Sequence, residues 1–460
     1  MNQLQLFLPC AAGVEDYLAD EVHRITRLAG DDLLVGRGGV VLRASWREAL
    51  QLNLHSRLAQ RVLVQLSHTM YRSENDLYAA ASAVAWEIWF TTKQTFKIEV
   101  TAQHSPLKSL NFAALKIKDA VADRFRHKFN DMRPSVDTRW PDVRVYVHLT
   151  VDTVTIYIDT TGEPLFKRGW REDKGDAPLK ETLAAAMIAA SGWGNGQEGQ
   201  CKDGVPLYDP CCGSGTIAIE AAQIACNIAP GINRKFAFQK YLPFQPHVWD
   251  GLLDQAEAAI TEPTAPVFGS DVSFRMVDFA ERNAERAGVA NAVQFRGGDA
   301  LQRMPPAPSG VMLVNPPYGE RIDVAGVAGT PSVQARDQRR AQQFQGQAID
   351  DFGQPIFNDG SDQPPEVPRR DRAANPGREQ AQDAWGEASA DFFPQLATHW
   401  KKNYAGWTAH VLTPDLKLPN KMRLKESRRV PMWNGPIECR LFRFDMVAGS
   451  ARAKPAPSCQ

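Results

Sequence analysis

A glycine-rich turn carries the strongest chemical signal in the sequence. It lies between a short apolar stretch and an apolar helical pattern, and it reads Tyr208-Asp209-Pro210-Cys211-Cys212-Gly213-Ser214-Gly215-Thr216. Glycines at a strand-to-helix turn let a ligand approach the backbone closely, and the first turn of the helix offers unpaired N–H groups. The spacing differs from the dinucleotide-binding G-x-G-x-x-G, and no lysine follows the second glycine as in a P-loop. The turn therefore predicts a ligand site that is not built around a phosphate, although a tight structural turn would use the same glycines.

Two acidic residues follow the next two predicted strands. Asp271 ends the stretch Gly269-Ser270-Asp271, and Asp299 lies in Gly298-Asp299-Ala300. In doubly wound sheets, a carboxylate at the end of the second strand accepts hydrogen bonds from ribose hydroxyls. A helix cap or a turn explains either residue equally well when it is taken alone. Because parallel strands end at one edge of a sheet, the three polar strand ends together favour a ligand site at that edge.

The sequence Asn315-Pro316-Pro317-Tyr318-Gly319 follows a fourth predicted strand. Two prolines remove two backbone donors and fix two φ angles, so they present the asparagine side chain and a neighbouring carbonyl rigidly. An amide oxygen and a carbonyl oxygen can together accept both hydrogens of an exocyclic amine, and Tyr318 offers a face on which an extruded base can stack. A stiff turn is the alternative, but a turn seldom needs Asn-Pro-Pro-aromatic in that order. We therefore expect Asn315, Pro316, Pro317 and Tyr318 to be the catalytic residues.

Strands alternate with helices in the region that carries these motifs. The pattern predicts helices at 179–191, 216–225 and 275–287 and strands at 206–208, 267–270, 293–297 and 310–314. Such alternation indicates a parallel, doubly wound α/β sheet. Residues 1–170 instead read as α+β, and the alternation of Val143–Asp159 about a polar Asp152-Thr153 predicts a hairpin.

Residues 324–382 have few large apolar side chains and no periodicity. They are rich in Gln, Arg, Asp and Pro, and such a stretch cannot bury enough surface to offset its ordering entropy. We expect a disordered insertion there. Residues 383–446 regain helix and strand character, and we expect the alternating run 437–446 to complete the interrupted sheet. Residues 447–460 read as a disordered tail.

The overall composition is that of an ordinary globular chain. Its 460 residues include 53 Lys or Arg and 53 Asp or Glu, with 43% hydrophobic residues, which excludes collagen-like, wholly disordered and disulfide-scaffold proteins. The seven cysteines are odd in number and form no C-x-x-C pair, which argues against a metal site or disulfides and favours a reducing, cytoplasmic setting. No apolar run reaches the ~18 residues of a membrane span, and the first residues do not resemble a secretory signal.

In their order along the chain, the four motifs resemble those of class I S-adenosylmethionine-dependent methyltransferases that act on exocyclic amines. DNA adenine-N6 and RNA guanine-N2 enzymes share this pattern. Further segments resemble THUMP-containing RNA methyltransferases, namely 53–63, 166–171, 177–184, 220–238, 315–322 and 434–444. Within that family, the chain is most similar to the guanine-N2-methylating, N-terminal half of a fused bacterial enzyme that modifies large-subunit ribosomal RNA. The insertion and the lack of a second methyltransferase domain depart from that enzyme.

The resemblance implies an α/β fold in which a Rossmann-like class I methyltransferase domain follows an α+β, ferredoxin-like and THUMP RNA-binding module. We expect an N-terminal ferredoxin-like segment at 1–55 and a THUMP domain at 56–165. The catalytic domain would cover 166–446, interrupted by the insertion at 324–382.

The resemblance also implies roles for single residues. The cofactor, S-adenosyl-L-methionine, would lie against the glycine-rich turn, with contacts from Asp209, Pro210, Cys211, Gly213, Ser214, Gly215 and Thr216. Asp271 would hold the ribose hydroxyls, and Asp299 would meet the adenine amine. Glu181 and Thr182 lie on the helix that is next to the cofactor in this family. Asn315, Pro316 and Tyr318 would position the target amine.

Two segments are locally basic although the whole chain is neutral. Residues 401–443 hold ten Lys or Arg against three acidic residues, and residues 104–133 hold seven against three. A solvated helix face explains either segment in isolation, but beside a base-modifying site RNA contact is the better explanation. The candidate RNA-binding residues are Lys116, Lys118, Arg124, Lys128, Lys421, Arg423 and Lys425.

These features predict methyl transfer to the exocyclic N2 amine of a guanine in 23S ribosomal RNA, either as free RNA or in a pre-ribosomal large subunit. One alternative is the same chemistry on a transfer RNA guanine or on adenine N6 of DNA, although the N-terminal module argues against DNA. The other is a non-catalytic, RNA-binding ribosome assembly factor, which the intact Asp209, Asp271, Asp299 and Asn315 argue against. The sequence leaves the oligomeric state open.

Overall fold

The computed structural model describes residues 3–175, 178–194, 204–316 and 387–447. The predicted insertion at 324–382 and all but the first residue of the predicted tail lie outside these ranges, so both stay predictions. None of the helices in the described ranges is long and apolar enough to cross a membrane.

The first half of the chain forms a seven-stranded sheet in the order β2-β3-β1-β4-β7-β6-β5. Its strands are β1 (Leu4–Pro9), β2 (Leu33–Gly36), β3 (Gly39–Ala44), β4 (Leu63–Met70), β5 (Phe96–Ala102), β6 (Val143–Leu149) and β7 (Thr153–Asp159). Its helices are α1 (Glu15–Thr26), α2 (Trp46–His55), α3 (Glu74–Ala83) and α4 (Leu110–Lys128). The predicted hairpin is confirmed as β6 and β7. The sequence pattern does not predict β2, β4 or α3.

Strand β4 joins the N-terminal segment to the rest of this sheet. It pairs antiparallel with β1 on one side and with β7 on the other. The sheet therefore continues without a break across the predicted boundary at residue 55. A register shift between Gln65 and Ser67 disturbs the alternation of buried and exposed side chains in β4, which hides this strand from a sequence pattern.

The second half forms another seven-stranded sheet, in the order β10-β9-β8-β11-β12-β14-β13. Its strands are β8 (Leu207–Asp209), β9 (Val267–Asp271), β10 (Val293–Gly297), β11 (Gly310–Val314), β12 (Trp407–Thr413), β13 (Arg428–Asn434) and β14 (Ile437–Asp445). Its helices are α5 (Glu181–Ser191), α6 (Thr216–Ala225), α7 (Pro246–Ala258), α8 (Phe274–Arg286), α9 (Glu387–Asn403) and α10 (Leu418–Met422). The first five strands in this order are parallel, and β14 is antiparallel to both of its neighbours. The predicted doubly wound sheet is therefore confirmed.

Helices cover both faces of the second sheet. Side chains that alternate along β8 point to opposite faces: Leu207 belongs to the core that includes α5 and α6, and Tyr208 belongs to the core that includes Trp400 of α9. Nearly every side chain of α6 is buried, which is why this helix is apolar all round rather than amphipathic. The glycine-rich turn leads directly into α6, so the packing of this helix fixes where the turn lies.

A buried group of charges joins the two halves of the chain. Glu220 of α6 is fully buried, and its two carboxylate oxygens accept hydrogen bonds from Arg168 Nε at 3.0 Å and Arg57 Nη1 at 3.1 Å. Arg168 Nη2 also donates to the carbonyl of Arg57 at 2.7 Å. Because Arg57 lies two residues after α2 and Glu220 lies in α6, these bonds hold the N-terminal half against α6.

Removing the negative charge of Glu220 should destabilise the whole chain, because it leaves the buried guanidinium of Arg168 and the largely buried guanidinium of Arg57 without a carboxylate. We expect Glu220→Gln to lower the free energy of unfolding by ~3–5 kcal/mol. The control is Asp278→Asn, which breaks a salt bridge to Arg282 between side chains that are 61% and 44% exposed. That variant should lose less than ~1 kcal/mol. Denaturant unfolding measures both, and equal losses would contradict the structural role of Glu220.

Candidate active site

The polar residues of the four sequence motifs lie at neighbouring strand ends. Asp209 ends β8, Asp271 ends β9, Asp299 follows β10 by two residues and Asn315 directly follows β11. Since β10, β9, β8 and β11 are adjacent in the sheet, the prediction that Asp209, Asp271 and Asp299 share one edge is confirmed, and Asn315 lies at the same edge.

Backbone and carboxylate hydrogen bonds fasten three of these motifs to one another. Asp271 Oδ2 accepts the Gly213 N–H at 2.9 Å, and the Asp271 carbonyl accepts the Gly298 N–H at 2.9 Å. Asp271 Oδ1 accepts the Ser273 N–H at 2.9 Å, and Ser273 rather than Asp271 is the cap of α8. Asp271 is thus the residue that holds the glycine-rich turn, the end of β9 and the start of the loop after β10 together.

The two glycines of the turn have different roles. Both have positive φ, 52° at Gly213 and 89° at Gly215. A Cβ on Gly215 would lie 3.0 Å from Ala280 Cβ and 3.1 Å from both Ile219 and Phe295, whereas a Cβ on Gly213 would meet no atom within 4 Å. Gly215 is therefore a packing glycine between α6, α8 and β10. Gly213 lies beneath open space, as a residue under a ligand must.

Asp209 is a buried carboxylate without a cationic partner among the described residues. It is 1% exposed, and its Oδ1 accepts the Cys211 N–H at 3.1 Å. Burial, together with the nearby negative charge of Asp271, raises the pKa of Asp209 to about 8. The same burial raises the pKa of the Cys211 and Cys212 thiols well above the ordinary value, so neither is an activated nucleophile. A positively charged ligand beside Asp209 would stabilise its ionised form.

Arg171, which the sequence motifs do not identify, holds the glycine-rich turn through a hydrogen bond to Thr216. Arg171 donates from Nε to Glu181 at 2.8 Å and from Nη2 to Thr216 Oγ1 at 2.8 Å. Burial raises the pKa of Glu181. Glu181 is thus an ion-pair partner of Arg171, and Thr182 beside it is also buried. Both predicted residues lie where α5 meets the turn, as partners of the protein itself.

Asn283 is a second residue that the sequence analysis does not identify. It is fully buried in α8, and its Nδ2 donates to the Ser214 carbonyl at 3.0 Å and to the Asp173 carbonyl at 2.8 Å. Its Oδ1 accepts the N–H groups of Glu172 and Asp173. The segment that leaves the N-terminal module, residues 168–175, is therefore tied through Asn283 to the glycine-rich turn. The one sequence signal is an asparagine at a buried position of an amphipathic helix.

The remaining predicted residues of the catalytic motif are only partly described. Asn315 is half-buried and Pro316 is buried, while Pro317 and Tyr318 lie outside the described residues. Pro210 is buried, and its carbonyl accepts the Ser270 hydroxyl at 3.4 Å. No group of three or more His, Cys, Asp or Glu in the described ranges is placed to hold a metal ion.

The predicted RNA-binding residues differ in how far they are already engaged. Arg124 forms a two-pronged salt bridge with Glu87, with both N–O distances at 2.7 Å, and so has a structural role in the first sheet's helical layer. Ion pairs or ring contacts also engage Lys116, Lys118, Lys128 and Lys421. Arg423 and Lys425 are exposed. Their contact with RNA stays a prediction.

A cleft of about 580 Å³ lies on one face of the second sheet. Tyr208, Phe268, Arg296 and Arg303 are among its lining residues, which places it on the face of β8, β9 and β10 that is opposite α6. Arg303 Nη1 donates to the Gly297 carbonyl at 3.3 Å. The cleft contains none of the carboxylates of the motifs, so it does not coincide with the candidate site.

The pKa of Asp209 predicts a specific pH dependence of folding. The pKa is about 8 in the folded protein, against about 4 in an unfolded chain. The folded state holds the proton more tightly, so Asp209 favours folding most below pH ~4 and loses this contribution as the pH rises to about 8. Relative to Asp209→Asn, the wild-type free energy of unfolding should fall across this window by up to ~1.4 kcal/mol per pH unit. Denaturant unfolding of both ligand-free proteins measures this, and parallel pH curves would contradict it.

Family models match three consecutive parts of the chain. Residues 5–63 match the RlmL ferredoxin-like domain, residues 71–159 the THUMP domain and residues 168–329 the RMKL-like methyltransferase domain.

Two curated relatives carry the name ribosomal RNA large subunit methyltransferase K/L. The protein from Psychromonas ingrahamii is 32% identical over 448 residues, which are 96% of this chain and 50% of that protein. The protein from Shewanella pealeana is 33% identical over 456 residues, which are 98% of this chain and 54% of that protein. The chain therefore spans about half the length of the curated relatives it matches.

A solved structure shares the fold. The structure of SMU.472 in complex with SAH superposes with a TM-score of 0.74 at 24% identity, and the match covers 98% of this chain and 100% of that chain. In chain order, the protein therefore contains a RlmL ferredoxin-like domain, a THUMP domain and an RMKL-like methyltransferase domain.

Proposed function

We propose that the protein transfers a methyl group from S-adenosyl-L-methionine to the N2 amine of a guanine in 23S ribosomal RNA. The observation that carries the proposal is Asp209, a buried carboxylate with no cationic partner among the described residues, next to the open space above Gly213. The THUMP domain and the ribosomal RNA methyltransferase names of the relatives support an RNA substrate. Ribosomal RNA as substrate also implies a cytoplasmic location.

The residues at the strand ends fit this cofactor. S-adenosyl-L-methionine carries an ammonium and a sulfonium group and supplies a methyl group that is already activated for transfer. Asp209 would offset the positive charge, which is the partner that its burial requires. Asp271 would accept hydrogen bonds from ribose hydroxyls, since each of its oxygens holds one backbone N–H and keeps a second acceptor position. Asp299 uses only Oδ1, for the Leu301 N–H, within the described residues, so Oδ2 can accept from an amine.

Asn315 and Pro316 would act on the target base. The lone pair of an exocyclic amine is delocalised into the ring, so the amine is a poor nucleophile. When an amide oxygen and a carbonyl oxygen accept its two hydrogens, the nitrogen becomes more tetrahedral and its lone pair points out of the plane of the base. Pro316 lacks an N–H and has a fixed φ, which keeps these acceptors in place. The catalytic contribution of these residues is orientation and electrostatics. A stacking role for Tyr318 stays a prediction.

Methyl transfer to defined nucleic acids tests the proposal. The purified protein with S-adenosyl-L-methionine should methylate 23S ribosomal RNA that lacks its native modifications, and nucleoside analysis should identify N2-methylguanosine. Protein-free RNA and nascent large subunits should both be offered. Preferential labelling of transfer RNA or of DNA would favour the alternative substrates. Cofactor binding without transfer to any of these would indicate a non-catalytic assembly factor.

Asn315→Ala should separate catalysis from cofactor binding. Without the side-chain acceptor, we expect the methyl-transfer rate to fall by about 100-fold or more. The dissociation constant for S-adenosyl-L-methionine, measured by calorimetry, should change less than about 2-fold. Loss of both properties together would contradict the role assigned to Asn315.

Asn283→Ala should have the opposite effect. It leaves the Ser214 and Asp173 carbonyls without their amide donor, so the turn is held less firmly. We expect the KM for S-adenosyl-L-methionine to rise about 10-fold with kcat nearly unchanged, as the loss of one or two buried hydrogen bonds implies. Asn291→Ala, at an exposed asparagine, is the control and should leave the KM unchanged. An unchanged KM in Asn283→Ala would contradict a positioning role.

A further inference from the structure

One tryptophan in the THUMP domain is exposed to solvent, although hydrogen bonds anchor the loop that carries it. Trp140 is 76% exposed, in the loop between α4 and β6. The other tryptophans in the described residues are buried or half-buried. A ring this exposed contributes little to folding, because it removes little apolar surface from water. Its face is therefore accessible to another molecule.

The loop presents Trp140 in a defined way. Asp137 Oδ1 accepts the N–H groups of Arg139 at 2.8 Å and Trp140 at 3.0 Å. On the other side, Asp142 Oδ2 accepts the Thr95 N–H at 2.9 Å. Pro141 between them restricts Trp140 to an extended backbone. The loop is thus anchored on both sides of the ring, so a partner that binds the ring meets a preformed surface.

At this end of the domain, the basic side chains are exposed, whereas the acidic side chains already form hydrogen bonds or ion pairs. Arg133 and Arg139 lie in the same loop as Trp140. Lys93 lies in a neighbouring loop, which is joined to the Trp140 loop by the hydrogen bond from Thr95 N–H to Asp142. All three are exposed, and none forms a salt bridge with a described residue. The acidic residues of the loop are engaged instead, since Asp131 pairs with Arg126, Asp142 pairs with Lys240 and Asp137 holds two backbone N–H groups. The surface therefore offers an aromatic face and three exposed cations that form no salt bridge with a described residue, although the carboxylate of Asp137 lies near Arg139.

We propose that Trp140 is a stacking site for one unpaired nucleotide of the RNA substrate, with Arg133, Arg139 and Lys93 contacting its flanking phosphates. The proposal rests on the proposed function, because it takes RNA as the ligand. An aromatic face among cations is the arrangement that binds single-stranded nucleic acid, since every base has a π-face and every linkage a negative charge. An apolar protein partner would not use three exposed cations, so the charges favour RNA over an apolar protein surface.

The site belongs to the N-terminal sheet, whereas the reacting groups lie at the strand ends of the second sheet. Its role is therefore affinity and placement of the RNA rather than chemistry. The Glu220 charges hold the two sheets in one relative position, so a nucleotide fixed on Trp140 restricts which base of the same RNA reaches Asn315.

Binding of short RNAs without cofactor tests the stacking site. The probes are a fluorescently labelled 12-nucleotide uridine strand and a 12-base-pair RNA duplex, measured by anisotropy at one fixed salt concentration. Trp140→Ala should weaken single-strand binding about 10-fold, while Trp140→Phe, which keeps an aromatic face, should stay within about 3-fold of wild type. Duplex binding by Trp140→Ala should change less than about 2-fold, because paired bases present no free face.

The control is Val151→Ala, which removes a 61% exposed apolar side chain at the opposite end of β6 and should leave both affinities unchanged. Single-strand affinity of Trp140→Ala equal to wild type, or an equal loss for strand and duplex, would overturn the proposal. So would a wild-type protein that does not bind the single strand, or a dimer that Trp140→Ala dissociates in sedimentation. Because no methyl transfer is measured, an inactive wild type would sink the proposed function alone, and an active enzyme with unchanged Trp140→Ala binding would sink this inference alone.

Discussion

The buried carboxylate of Glu220 is the charge on which the assembly of the two halves depends. It lies in α6, whose first residues continue the glycine-rich turn, and it receives Arg57 and Arg168 from the N-terminal side of the chain. A carboxylate in that position without its two partners would be buried and uncompensated, and so would the guanidinium groups without it. The catalytic sheet and the N-terminal sheet therefore stabilise each other. Their relative position is set by these buried charges together with an apolar core to which both halves contribute.

The candidate site depends on the parallel sheet, which brings its polar residues to one edge. Four neighbouring strands end at one edge, and Asp271 connects the glycine-rich turn to two of these ends through its carboxylate and its carbonyl. This leaves Asp209 in an environment that disfavours its charge, so the site is incomplete without a cation. Arg171 and Asn283 then tie the turn to residues 171–173, the segment that leads in from the N-terminal half. A cofactor bound there would contact a turn that this segment helps to hold.

Local sequence patterns predict the elements around the motifs well. The helix at 216–225 and the strands at 293–297 and 310–314 have the predicted bounds, because short apolar runs between glycine or proline signals leave little freedom. The pattern does not predict β4, whose bulge breaks the alternation, nor α7. The roles of Arg171 and Asn283 cannot be predicted from the sequence for another reason. Arg171 and its partner Thr216 are 45 residues apart in the chain, and Asn283 is 69 and 110 residues from Ser214 and Asp173, so only folding brings them together.

Some residues that are predicted to bind RNA from their type already have a structural partner in the fold. Arg124 is a basic residue in a basic helix, yet Glu87 already engages its guanidinium. Conversely, Trp140 and its neighbouring cations become a recognisable surface only when the fold leaves them exposed. The central claim is that this chain methylates guanine N2 in 23S ribosomal RNA, and mass spectrometry of that RNA from a strain lacking the gene tests it most directly. The account predicts that one N2-methylguanosine disappears and returns with the wild-type gene but not with Asn315→Ala. An unchanged set of modified nucleosides in the deletion strain would contradict it.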